Sequence, residues 1–167
     1  MSSASSAATF HLTSPAFADG GTLPHSTLFD GFGVGGGNRS PSLVWSGAPA
    51  GTKSFALTVF DPDAPTGHGF THWVAFNIPG DATGLPENAG AAGNTHGITL
   101  GHTDFGTSAY GGAAPPPGDP PHHYIFTLYA LDVPKLDLGS TTTIALLNFA
   151  IRGHVLGKAT LTGRFGR

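Results

Sequence analysis

The chain has 167 residues, a formal net charge of −3 and only 10% charged side chains, which suits one domain with a sizeable core. Its 7 Lys and Arg are scattered along the length, so the basic stripe of a nucleic-acid surface is excluded. There is no Cys, which excludes disulfides and thiolate metal sites.

With 26 Gly and 14 Pro, the composition favours an all-β, turn-rich fold over a helical bundle. Residues 1–8 are Ser- and Ala-rich and are expected to be disordered; otherwise 1–167 reads as a single domain. The N-terminus lacks the basic and apolar regions of a signal peptide. No stretch approaches the roughly 20 apolar residues of a membrane span. A cytoplasmic location without membrane insertion is the expectation. Asn38-Arg39-Ser40 fits a glycosylation sequon, but Pro41 follows it.

In chain order, "TFHLTSPAF" reads as a first, edge-like strand, and a long turn-rich stretch follows it. Leu43–Ser46 and Ser54–Phe60 read as strands joined by Gly-Ala-Pro-Ala-Gly, in a hairpin or a crossing between sheets. "HWVAFNIPG" is another strand. Residues 81–121 show weak periodicity, and so long a loop in a compact domain is usually functional. "HHYIFTLYALDV" alternates Tyr124, Phe126, Leu128 and Ala130 against Ile125, Thr127, Tyr129 and Leu131. Both faces are largely apolar, which predicts a central strand covered on both sides. "STTTIALLNFAIRGHVLG" predicts one helix with Ile144, Leu147, Ile151 and Val155 on one stripe. "KATLTGRF" is the last strand.

Polar side chains collect at the strand ends. Asp61 and Asp63 are two apart, so an extended backbone points both carboxylates the same way; Asp-Pro is equally a turn dipeptide. His72 enters the next strand, and His122 and His123 open the long one. Alternation allows only one of that pair into a given pocket. In "AYGGAAPPPGDPP", Tyr110 can offer a hydroxyl or a ring wall, and Gly111 and Gly112 can expose backbone N–H groups as an anion-binding nest. A Pro-rich surface loop is the plainer reading.

"DPDAP", then "HW" and an apolar strand, then "YGG…PPPG…HHYIFTLYALD" resemble the phosphatidylethanolamine-binding protein family, in its bacterial and archaeal Raf kinase inhibitor-like branch. The resemblance runs from about Phe10 to the C-terminus. It implies a Greek-key sandwich of two antiparallel sheets with a short C-terminal helix. It also implies an anion pocket lined by Asp61, Asp63, His72 and His122, with Tyr110, Gly111 and Gly112 on the facing loop, and a cis Ala64–Pro65 peptide. The family's loop carries Pro where this chain has Ala113.

The resemblance implies a non-enzymatic protein without catalytic residues, metal or cofactor, binding phosphate or a phospholipid headgroup and modulating a kinase or another phosphoprotein. Imidazoles would donate to the anion, and aspartates would hold their tautomers. Affinity should then rise as pH falls through the imidazole range. The alternative is a metal-dependent hydrolase using the Asp and His side chains. The many Phe and low charge also lead us to expect a homodimer.

Overall fold

The computed structural model describes residues 9–93 and 96–167. The disorder expected for residues 1–8 lies outside them. The strands are β1 (His11–Thr13), β2 (Leu43–Ser46), β3 (Ser54–Asp61), β4 (Phe70–Pro79), β5 (Gly84–Leu85), β6 (Thr99–Leu100), β7 (His122–Leu131) and β8 (Val155–Phe165), with one α-helix, α1 (Ile144–Ile151). They form a three-stranded sheet, β1-β2-β5, and a five-stranded sheet, β6-β4-β3-β7-β8. All pairings between these strands are antiparallel. The segment after β2 therefore crosses between sheets and makes no hairpin. Neighbours β3 and β7 are separated in the chain by β4, β5 and β6, the long return of a Greek key.

The apolar residues divide by strand alternation. Phe55, Leu57 and Val59 of β3 join Trp73, Tyr124, Phe126, Leu128, Trp45 and Leu12 between the sheets. Ala56, Val74, Phe76 and Leu131 meet Leu147 and Ile151 of α1 on the other face. The middle strand is β3, buried at all but one position. This corrects the expectation for β7: its inner residues are buried, but Ile125, Thr127 and Tyr129 are only half-covered. The short helix cannot roof the whole outer face.

The helix begins where Thr143 accepts a hydrogen bond from Leu146 N at 3.2 Å, an N-cap that offsets the weak helix propensity of the Thr run. It is shorter than the sequence suggests. Gly153 turns the chain at φ +85°, so Val155 opens β8 and is exposed instead of extending the buried stripe. The loop 81–121 also carries β5 and β6, each of two residues.

Candidate functional site

Antiparallel pairing gathers the C-terminal end of β3 and the N-terminal ends of β4 and β7 at one edge of the large sheet. A cavity of about 160 Å³ opens there. Asp61, His72, His122 and Tyr124 line it from these strands, and Phe32, Phe70, Phe105 and Pro115 are among its apolar walls.

His122 uses both ring nitrogens. Nδ1 lies 2.7 Å from Asp61 Oδ2, and Nε2 lies 2.9 Å from Asp119 Oδ2. A carboxylate on each side favours the state in which both nitrogens donate, the imidazolium. Burial works against that charge, but the hydrogen bonds to Asp61 and Asp119 outweigh it and raise the imidazole pKa. Asp61 is buried and its Oδ1 also accepts from Asp63 N at 2.8 Å.

Asp63 does not join Asp61 in the cavity. Strand β3 ends at Asp61, so the alternation that would align the two carboxylates stops there. Asp63 instead accepts from His123 N at 2.8 Å and pairs with His123 Nδ1 at 2.7 Å, both side chains being more than two-fifths exposed. The hydrogen bond from His123 is the main cause of its lowered carboxyl pKa. Two parallel Asp–His pairs thus cross from the β3 end to the β7 start, one buried and one at the surface.

His72 reaches the cavity through a bulge. Val59 pairs with Trp73 and Phe60 with Thr71, which leaves His72 as the extra residue of β4. A bulge re-aims side chains, and His72 meets Tyr124 edge-on at 5.2 Å, on the same interior that buries Trp73. Its Nδ1 lies 2.8 Å from Gly111 O. Burial lowers the imidazole pKa, so the ring is neutral: Nδ1–H donates to the carbonyl and Nε2 keeps an acceptor lone pair.

Tyr124 is 1% exposed, and its hydroxyl has no hydrogen-bond partner among the described residues. Burial, with Asp61 nearby, pushes its pKa upward, so it remains an O–H donor. The other unpartnered buried donor among the described residues, Trp73 Nε1, belongs to a ring packed edge-on against Tyr110 in the core.

The segment Tyr110-Gly111-Gly112 is a brace behind the cavity. The Tyr110 hydroxyl donates to Thr27 O at 2.7 Å, Gly111 N donates to His72 O at 2.9 Å, and Gly112 N donates to Asn38 Oδ1 at 2.8 Å. This corrects the expected nest, because both N–H groups are already taken. The glycines serve close packing: a Cβ at Gly111 would collide with the Phe105 ring, and one at Gly112 with the backbone at Thr27–Phe29. Ala113 bridges to Leu28, and its carbonyl accepts from Phe29 N at 3.0 Å. The Ala64–Pro65 peptide is trans, which corrects the cis expectation.

Sequence reasoning missed the aromatic wall, Tyr124 and Asp119. Phe105 stacks on Phe29 at 4.4 Å and meets Phe70 edge-on at 4.8 Å. Phe32 is 70% exposed and sits at φ +52°, uncommon for a bulky residue. Arg167 holds it there: one terminal guanidinium nitrogen donates to Phe32 O at 3.0 Å, and Nε donates to Pro115 O at 2.7 Å. Large aromatics inside Gly-rich loops were the available signal. Among the described residues, no group of three or more His, Cys, Asp or Glu is arranged to hold a metal ion.

The family model for phosphatidylethanolamine-binding protein matches residues 13–166. The UPF0098 protein YbcL of Escherichia coli is 47% identical over 159 residues, covering 93% of this chain and 87% of YbcL. A UPF0098 protein of Methanothermobacter thermautotrophicus is 45% identical over 158 residues, covering 94% of this chain and 99% of the relative. The crystal structure of YbcL, described as a member of the mammalian PEBP family, superposes with a TM-score of 0.92 at 45% identity, over 96% of this chain and 99% of the other. On this evidence of sequence and fold, the chain belongs to the phosphatidylethanolamine-binding protein family.

Proposed function

We propose that the chain is a non-enzymatic protein that binds a small anion, such as phosphate or a phosphorylated headgroup, in the cavity of Asp61, His72, His122 and Tyr124. The observation that carries this reading is Tyr124, which lines that cavity and whose buried hydroxyl is a donor with no partner among the described residues. An unmade buried hydrogen bond costs about 1–3 kcal/mol, which a ligand acceptor would recover. The His122 imidazolium supplies positive charge nearby. At about 160 Å³, the space is below the roughly 300–1,000 Å³ of drug-sized pockets, so it suits a headgroup and leaves acyl chains outside.

The family assignment supports this reading of the site. A kinase or another phosphoprotein as the partner, and the cytoplasm as the compartment, belong to the same proposal. So does a homodimer, for which Leu146 and Phe149, both exposed on α1, are the apolar surface. Among the described residues, no helix is long and apolar enough to cross a membrane.

The test is calorimetric titration of phosphate and phosphoethanolamine at pH 6 into the wild type and Tyr124→Phe, with metal content measured on the same samples. Binding by the wild type that weakens several-fold in the variant, without stoichiometric metal, supports the reading. No binding, or stoichiometric metal, overturns it. Affinity should fall as pH rises through the raised pKa of His122, above the usual imidazole range.

A further inference from the structure

We infer that Asp119 is an internal occupant of the anion position on His122, and that the ligand binds by taking its place at Nε2. The inference rests on the anion reading above. A donor already committed on both sides has nothing to offer a ligand, and His122 is so committed, at 2.7 Å to Asp61 and 2.9 Å to Asp119. One of the two carboxylates must release it.

The surroundings decide which one. The Asp61 side chain is 3% exposed and also accepts from Asp63 N. Releasing His122 would strand a buried charge, which is costly. The Asp119 side chain is 35% exposed, so water can solvate its carboxylate when it leaves. Among the described residues, no second hydrogen bond to the Asp119 carboxylate competes with the one from His122.

The loop limits the movement to a side-chain swing. Pro116, Pro117, Pro120 and Pro121 flank Asp119 closely, and Gly118 N donates to Arg167 O at 2.7 Å. Asp119 N also donates to Pro116 O at 3.3 Å. Rotation about χ1 frees Nε2 while the loop backbone stays. Asp119 therefore sets how strongly an anion must bind before the site accepts it.

The experiment titrates inorganic phosphate at pH 6 into the wild type, Asp119→Ala, Asp119→Asn and Asp132→Asn. The last variant alters a remote pair, Asp132 with His154 at 2.9 Å. We expect Asp119→Ala to bind about tenfold more tightly than the wild type, the scale of one charge-assisted hydrogen bond. Asp119→Asn should fall between them, and Asp132→Asn should match the wild type. In the imidazole nitrogen spectrum of the wild type, phosphate should shift Nε2 of His122 and leave Nδ1 in place. Equal or weaker binding by both Asp119 variants overturns the role of Asp119 and leaves the anion reading standing. Absence of phosphate binding in all four proteins overturns both.

Discussion

Asp61 and His122 form a buried ion pair, 2.7 Å between Oδ2 and Nδ1 with each side chain 3% exposed, that ties the end of β3 to the start of β7. Asp63 and His123 repeat the pairing at the surface at the same 2.7 Å. Equal distances do not mean equal energies. Removing one partner of a buried pair leaves an uncompensated charge and costs about 3–5 kcal/mol, whereas exposed pairs contribute at most about 1 kcal/mol. Asp119 still partners His122 when Asp61 is removed, so urea unfolding should show a loss of up to about 3–5 kcal/mol for Asp61→Ala and a smaller one, below about 1 kcal/mol, for Asp63→Ala.

The two cavity histidines titrate in opposite directions, and stability should follow. The folded pKa of His122 is raised. Its contribution is full below the unfolded value near 6.5 and is lost as pH rises through the folded value. The folded pKa of His72 is lowered. Its contribution is full above about pH 6.5 and declines as pH falls toward the folded value. Relative to His122→Gln, the wild type should lose advantage above about pH 6.5; relative to His72→Gln, below it. Urea unfolding across this range measures both differences, and a pH-independent difference for either variant would contradict its assigned shift.

Tyr124→Phe should separate stability from binding. The hydroxyl is buried without a partner, so its removal should leave stability unchanged or raise it by up to about 1–3 kcal/mol. Thermal unfolding without ligand reads that change. The weaker phosphate binding expected of the same variant distinguishes a ligand-directed hydroxyl from a merely tolerated one.

Gly112→Ala should damage the site from behind. The added methyl would meet backbone at Thr27–Phe29, which cannot rotate away as a side chain can. We expect about 1–3 kcal/mol of destabilisation, measured in urea, and a loosened Gly112 N–H to Asn38 Oδ1 bond, measured by amide exchange. Gly118→Ala has open space around its Cβ, yet it should also destabilise because Gly118 sits at φ +89°.

Period-two alternation was enough to find β3, β4 and β7, because their buried faces demand it along each strand. The motifs around Asp61, His72 and His122 were equally legible, since each lies next to the start or end of a long apolar strand. Alternation also separated His122, which is buried, from His123, which is exposed. What alternation could not supply is anything that depends on the neighbouring chain. The bulge that turns His72 inward is a difference in count between β3 and β4, so it exists only once the strands are paired. The N–H groups of Gly111 and Gly112 look available in the sequence, and only tertiary packing gives them to His72 O and Asn38 Oδ1. The same holds for Tyr124, a core alternation residue by sequence, whose hydroxyl is left unpartnered by packing alone. The sequence by itself determined the long strands and which strand ends carry polar groups, because these follow from local periodicity, while the antiparallel sandwich was what the family resemblance implied. The tertiary structure decided which of those groups face the cavity and which are already spent on one another, because hydrogen-bond partners around the cavity lie as far as 135 positions apart in the chain.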